Sequence, residues 1–192
     1  MLKLVDVRDI VASKANGGSV ESRRQCAAEW CKMWLDFIHL QINKGCVVFD
    51  IDDTLVDDNE CKIRSIQGVY MHCIKCNIPV FLITARPDGR KNRSLTKDML
   101  EGHNIVDYKR LYMMPQCLEQ TWENISKFKF SARQHISKHN FIIQCFGDMW
   151  TDHLLFPVRK QEHKELMKKT KDEDCVVFFY NRTCYIKLPQ SS

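Results

Sequence analysis

The chain has 192 residues, of which 44% are hydrophobic and 28% charged, and its formal net charge is +5. This length suits one well-buried domain, and so modest a charge does not by itself indicate nucleic-acid binding. No apolar stretch approaches the roughly 18 residues of a membrane span, and residues 1–10 carry acids in their apolar part, unlike a secretory signal.

Ten cysteines are spread along the chain, and several fall in predicted strands. We interpret them as small buried side chains kept reduced, and we expect a cytoplasmic protein. Cys73-x-x-Cys76, next to His72, is the one spacing in the sequence that is typical of a metal site. A single cysteine pair on a predicted helix is a weak zinc signal, and ordinary packing is the favoured interpretation.

The first predicted elements are an N-terminal arm and a long helix. Residues 1–18 show weak periodicity and end in Asn-Gly-Gly, so we predict an arm over 1–18 and a single domain over 19–192. Apolar residues at helical spacing predict a helix from Ser19, its N-cap, to about residue 43, with Gly45 as the stop signal. The Trp and Phe side chains of this helix are predicted to face the core.

Strands and helices alternate after the first helix. Strands are predicted at 46–52, 79–84, 110–114 and 141–146, helices near 61–77, 90–102, 118–138 and 160–170, and a last pair of strands at 175–180 and 183–188. Such alternation predicts an α/β fold, a Rossmann-like three-layer sandwich with a mainly parallel central sheet. Asn181 and Arg182 join the last two strands and predict a C-terminal β-hairpin.

A dense group of carboxylates follows the first predicted strand. It contains Asp50, Asp52, Asp53, Asp57, Asp58 and Glu60. Like charges at this density repel one another unless a cation or a proton offsets them, and oxygen ligands suit Mg²⁺. An Asp beside Mg²⁺ can also attack phosphorus. Thr84 and Asp148 follow two other strands, and the carboxyl ends of parallel strands meet at one edge of a sheet.

These strand ends resemble the motifs of the haloacid dehalogenase (HAD) superfamily of phosphohydrolases. The matching segments are Asp50-x-Asp52-x-Thr54, the strand ending Thr84-Ala-Arg86-Pro87, and Gly147-Asp148-x-x-x-Asp152. They are most similar to the acid phosphatase branch, which includes class B acid phosphatases and plant vegetative storage proteins. The resemblance covers about residues 20–188 and implies a Mg²⁺-dependent phosphomonoester hydrolase acting through an aspartyl-phosphate intermediate.

The resemblance also implies residue roles. Asp50 would be the nucleophile, and Asp52 would protonate the leaving oxygen and then activate water. Thr84 would hydrogen-bond a phosphoryl oxygen, and a lysine would offset charge. The implied Mg²⁺ ligands are Asp50, Asp52 through its main-chain carbonyl, and Asp148, with Asp152 in support. Thr54, Arg86, Lys127 and Arg133 complete the candidate phosphate- and substrate-binding residues.

The identity of the catalytic lysine is open between two residues. Lys127 and Lys129 both lie in the segment 126–133, which we place at the start of a helix. The acid phosphatase branch has Lys-x-x-x-Arg at this point, and Lys129 with Arg133 fits that spacing, so Lys129 is favoured.

The substrate is also open, beyond being phosphorylated. The intervals between motifs hold no cap domain, so a capless core with an open site is expected. Such a site admits a small molecule, a polynucleotide end or a phosphoprotein, and basic residues at 86–97 form a predicted positive rim for a polyanion. A catalytically idle binding or storage protein is the alternative from another class. No membrane partner is expected, and the oligomeric state is not predicted.

Overall fold

A computed structural model of the chain describes residues 19–42, 44–153, 176–180 and 183–189. The predicted arm, the predicted helix near 160–170 and the hairpin turn lie outside these residues. The helices are α1 (Val20–Ile38), α2 (Arg64–Lys75), α3 (Arg90–Gly102) and α4 (Trp122–Ser137), with 3₁₀ turns at His39–Gln41 and Trp150–Asp152. The strands are β1 (Gly45–Phe49), β2 (Val80–Asp88), β3 (Arg110–Pro115), β4 (Phe141–Gly147), β5 (Val176–Tyr180) and β6 (Thr183–Lys187).

The strands form one sheet of order β3-β2-β1-β4-β6-β5 within the described residues. The first five in this order run parallel, whereas β5 pairs antiparallel with β6 at the edge. The predicted α/β class, mainly parallel sheet and terminal strand pair are therefore confirmed. Because successive strands are added on opposite sides of β1, the chain reverses direction across the sheet between β1 and β4, where a ligand crevice is expected.

Helices cover both faces of the sheet. One face packs against α1, α2 and α3 through a core that includes Val47, Phe49 and Leu82. The other packs against α4 through Cys46, Val48 and their neighbours. Successive residues of β1 thus point into opposite cores, which explains why this strand is apolar throughout. No helix in the described part of the chain is long and apolar enough to cross a membrane.

The first helix differs from its prediction at one end and on one face. Ser19 is the N-cap as predicted, since its Oγ accepts from the Ser22 N–H at 3.2 Å. The α-helix ends at Ile38, however, and Gly45 is the first residue of β1 rather than a helix stop. Phe37 is exposed instead of core-facing. Trp30 and Trp34 are only partly buried against the core.

Two other helices begin later than the sequence pattern predicts. Residues 57–62 form a turn in which the Asp57 carboxylate accepts from the backbone N–H groups of Asn59 and Cys61, at 2.9 and 2.8 Å. Helix α2 consequently starts at Arg64, not near residue 61. Helix α4 starts at Trp122 because Thr121 caps it by accepting from the Asn124 N–H at 3.3 Å.

Candidate active site

Two carboxylates follow adjacent strands at the predicted crevice. Asp50 comes directly after β1 and Asp148 directly after β4. The Asp50 N–H donates to the Phe146 carbonyl at 3.0 Å, so the parallel pairing of the two strands continues to the start of the acidic segment. The backbone position of Asp50 is therefore fixed by the sheet and does not depend on contacts of its side chain.

A single tight turn after β1 positions Asp52. The Ile51 carbonyl accepts from the N–H groups of Leu55 and Val56, at 2.8 and 3.1 Å. Asp53 takes a left-handed conformation with φ 52°, which Asp tolerates better than most residues. The chain thereby turns back on itself, and the side chain of Asp52 remains 49% exposed.

Three buried carboxylates gather at the strand ends. Oxygens of Asp50, Asp148 and Asp152 lie within 4.8 Å of one another. Each of these residues is no more than 5% exposed. The spacing Asp148-x-x-x-Asp152 brings its two carboxylates together because residues 150–152 form a 3₁₀ turn. The Met149 N–H also donates to the Asp152 carboxylate at 3.0 Å, which fixes its orientation.

Two cations from α4 reach this cluster from the side. The Lys129 Nζ donates to Asp50 Oδ1 at 2.9 Å and also to Asp152 Oδ1. Arg133 donates to the Asp152 main-chain carbonyl. Lys129 is 3% exposed and Arg133 5%, so both charges are buried with the acids. Hydrogen bonds therefore connect four of the predicted residues, and Asp148 lies beside them. The four are Asp50, Lys129, Arg133 and Asp152.

Burial and neighbouring charges strongly shift the pKa values of Asp50 and Lys129. Burial raises the pKa of Asp50 well above its usual range, and the nearby Asp152, Asp148 and Asp52 raise it further, while Lys129 opposes them. Burial alone would lower the pKa of Lys129, but Asp152 and Asp50 outweigh burial and raise it. Lys129 is therefore held as a cation between Asp50 and Asp152 and offsets part of their negative charge.

A second polar network holds Asp52. Arg86 donates to its carboxylate through Nε at 3.0 Å and through Nη2 at 2.7 Å. Thr84 donates from Oγ1 to Asp52 Oδ2 at 3.2 Å, and the same hydroxyl accepts from the Arg86 N–H at 3.1 Å. Glu60 lies 3.6 Å from Arg86 Nη2. Arg86 and Thr84, predicted to bind phosphate, thus contact the candidate acid–base residue in this structure.

Two predicted residues lie apart from these networks. Lys127 is an exposed residue on the other side of α4, paired with Glu123 at 2.7 Å, and the structure does not bring it to the cluster. The segment 126–133 is also in the middle of α4, not at its start. Thr54 is fully buried, and its Oγ1 finds no hydrogen-bond partner among the described residues. Its contact with phosphate stays a prediction.

The predicted positive rim is partly neutralised. Arg93 makes two hydrogen bonds to Asp88, at 2.8 and 2.7 Å, and Arg86 is paired with Asp52. Arg90 and Lys91 remain exposed in the first turn of α3, immediately after the strand that carries Thr84. The positive charge of this rim therefore comes from fewer basic residues than the sequence suggests, because two of its arginines are paired with acids.

Gly147 and Arg24 support the site, and sequence reasoning gave neither of them a role of its own. A Cβ atom at Gly147 would overlap the Asp152 side chain, so only glycine lets this carboxylate lie against the end of β4. The Gly-Asp string quoted above was the available signal. Arg24, buried in α1, donates to the carbonyls of Pro189 at 2.9 Å and Asp53 at 3.4 Å, and so anchors the turn that presents Asp52. An arginine within a helix gave no such signal.

The buried cluster fits a hard divalent cation by donor type. Asp50, Asp148 and Asp152 supply oxygen ligands, the donor type that hard divalent cations prefer. The main-chain carbonyl of Asp52 is a further ligand that the resemblance implies. Its side chain is already held by Arg86.

A scan against models of known protein families found no match for this chain, and a search of curated proteins found no relative.

Proposed function

We propose that this protein is a Mg²⁺-dependent phosphomonoester hydrolase of the HAD type, with Asp50 as the nucleophile. One observation carries the proposal. A buried carboxylate at the carboxyl end of the central strand is held by a buried lysine and lies beside two further carboxylates. A half-exposed acid lies two residues away. Structural carboxylates are normally paired and solvated, so this concentration of buried charge favours catalysis.

The reaction follows from the positions of the two acids. Asp50 attacks phosphorus and forms a new P–O bond while the bond to the leaving oxygen breaks. Asp52, at the open side of the crevice, gives its proton to that oxygen. Water then attacks the phosphorus of the aspartyl-phosphate and passes a proton to Asp52. The bond between phosphorus and the Asp50 oxygen breaks, so inorganic phosphate leaves and the Asp50 carboxylate is restored. A positioned acid or base of this kind contributes roughly 10²–10⁴-fold in rate.

The remaining residues bind and orient. Lys129 holds Asp50 in place and offsets charge that gathers on the phosphoryl group. Thr84 and Arg86 orient Asp52, and an incoming phosphate competes with Asp52 for the Arg86 guanidinium. Mg²⁺, when bound to Asp50, Asp148 and the Asp52 carbonyl, would polarise a phosphoryl oxygen and offset the buried negative charge.

The test is hydrolysis of p-nitrophenyl phosphate with Mg²⁺ by purified wild-type protein and by Asp50→Asn. The variant keeps the shape of the side chain but cannot form the acyl phosphate, so we expect turnover to fall to background with an unchanged circular dichroism spectrum. Asp58→Asn, an exposed acid in the next turn, is the matched control and should leave turnover unchanged.

Two results would contradict the proposal. If Asp50→Asn turns over like the wild type, the covalent route is wrong. If the wild type hydrolyses no member of a panel of nucleotides, sugar phosphates, phosphopeptides and phosphorylated oligonucleotides, the fold serves binding or storage instead.

A polynucleotide-end phosphatase is the second candidate, favoured by Arg90 and Lys91. They lie at the N-terminus of α3, where the helix dipole disfavours cations, and no acid occupies the first turn. A phosphate backbone would offset this charge. Replacing both with Ser should raise KM for a phosphorylated oligonucleotide but not for p-nitrophenyl phosphate.

The matched control for this double variant is Lys109→Ser with Lys138→Ser. These two exposed lysines precede β3 and β4 and so lie at the opposite edge of the sheet. If the two double variants change the oligonucleotide KM equally, the small-molecule assignment is retained.

A further inference from the structure

A group of three different side chains lies between α1 and α2, away from the strand ends. His72 and Cys76 are one helical turn apart, and the Cys76 N–H donates to the His72 carbonyl at 3.0 Å, so both side chains project from the same side of α2. Asp36 reaches them from α1, with its Oδ1 at 2.7 Å from His72 Nε2. The Cys76 Sγ lies 3.7 Å from the same nitrogen.

All three donor atoms converge within 4.8 Å of one another. His72 Nε2 carries either one proton or one lone pair, so it cannot satisfy a carboxylate and a thiol equally well. A metal ion would satisfy all three. Carboxylate oxygen, imidazole nitrogen and thiolate sulfur together are a donor set that suits Zn²⁺ and related ions better than Mg²⁺.

The distances are compatible with one tetrahedral ion. Ordinary Zn–S and Zn–N bonds place sulfur and nitrogen about 3.6 Å apart, and Zn–N and Zn–O bonds place nitrogen and oxygen about 3.4 Å apart. The Cys76–His72 separation of 3.7 Å already fits. Asp36 must withdraw by less than an ångström, and its side chain is 57% exposed.

We propose that Asp36, His72 and Cys76 form a zinc site that fastens α1 to α2, with a fourth position left for water. The Cys73-x-x-Cys76 spacing is therefore misleading in one respect. Cys73 is fully buried in the main core, and the third protein ligand is Asp36, which comes from a different helix. Because the ligands belong to two helices, binding requires the folded chain and stabilises it.

Cobalt(II) spectroscopy tests the site, since a Co²⁺–thiolate bond gives a near-ultraviolet charge-transfer band that carboxylates do not produce. We expect wild-type protein to show this band, tetrahedral d–d bands in the visible, and their loss on adding Zn²⁺. Cys76→Ser should abolish the charge-transfer band, and Asp36→Asn should weaken Co²⁺ binding roughly tenfold or more, because one of three protein ligands is lost.

Two control variants make the test specific. Cys61→Ser removes an exposed thiol outside the group and should leave the spectrum unchanged. Asp148→Asn disables the acidic cluster at the strand ends and should also leave the thiolate band unchanged. The site therefore stands or falls separately from the proposed hydrolase activity.

Alkylation of the wild-type protein gives a second measurement that needs no variant. Zn²⁺ should slow the reaction of Cys76 with iodoacetamide while exposed Cys61 and Cys117 react at unchanged rates, as read by peptide mass spectrometry. A thiolate band that survives Cys76→Ser, no thiolate band in the wild type, or equal protection of all three thiols would overturn the proposal. The group would then be a hydrogen-bonded Asp–His pair beside an ordinary cysteine.

Discussion

Single residues at the strand ends decide how closely the acids of the candidate site approach one another. Gly147 is the clearest case, because its missing side chain is what allows Asp152 to lie against the end of β4. Asp152 in turn accepts from Lys129 and from the Met149 N–H. One absent methyl group therefore supports the ion pair that holds Asp50.

Gly147→Ala is accordingly expected to damage both stability and activity. The new Cβ overlaps Asp152, and overpacking of this kind costs roughly 1–3 kcal/mol in the free energy of unfolding. Urea denaturation should show the loss, and the phosphatase assay should show reduced turnover.

The matched control is Gly68→Ala in the middle of α2, where nothing lies within 4 Å of an added Cβ. It should raise stability by up to about 1 kcal/mol, since alanine is the better helix former. If the two variants behave alike, the close approach of Gly147 and Asp152 is not what constrains this position.

At the scale of elements, α4 shows how much of the site was available from the sequence. Its buried residues Ser126, Lys129, Ala132 and Arg133 recur at helical spacing, and Ile136 continues the series. Lys127 falls on the exposed side of the same helix. Because residues two positions apart lie on nearly opposite sides of a helix, this periodicity separates Lys129 from Lys127.

Other parts of the site were beyond sequence reasoning. The meeting of Asp50 with Asp148 follows from the rule for parallel sheets, but the strand order was not predicted. The pairing of Arg86 with Asp52, and of Arg93 with Asp88, depends on side-chain directions set by tertiary packing. The same holds for Asp36 beside His72, since no pattern within either helix indicates which residue of the other it faces.

Lys129→Met should cost far more than Lys127→Met. Removing one partner of a buried ion pair leaves the other charge uncompensated and costs about 3–5 kcal/mol in the free energy of unfolding. The exposed Lys127–Glu123 pair is worth only about 0.3–0.5 kcal/mol. Denaturant titration of both variants at neutral pH measures the difference, and turnover should fall only for Lys129→Met. Equal losses of stability and turnover in the two variants would mean that the buried ion pair of Lys129 has no special role.

At the scale of the whole molecule, a fold of ordinary composition gathers buried ionisable side chains at one edge of its sheet. Most of the described core is apolar, whereas three acids at the ends of β1 and β4 are buried beside two cations from α4. Burial raises the pKa of Asp50, because the ionised carboxylate loses the hydration that it would have in water. The folded state thus carries an electrostatic cost that a bound divalent ion would relieve.

Mg²⁺ should therefore stabilise the folded protein as well as support hydrolysis. An ion that binds only the folded state, at a concentration about 100 times its Kd, adds about 2.7 kcal/mol to the free energy of unfolding. Thermal denaturation with and without Mg²⁺ at constant ionic strength should show a higher Tm with the ion, reversed by EDTA. Asp148→Asn removes one ligand and one buried charge, so its Tm should respond to Mg²⁺ much less than the wild type. Cys76→Ser, far from the strand ends, should respond fully. A wild-type Tm indifferent to Mg²⁺, or an Asp148→Asn variant that responds as strongly, would mean that the protein's own cations satisfy the acids and that the cluster is not a magnesium site.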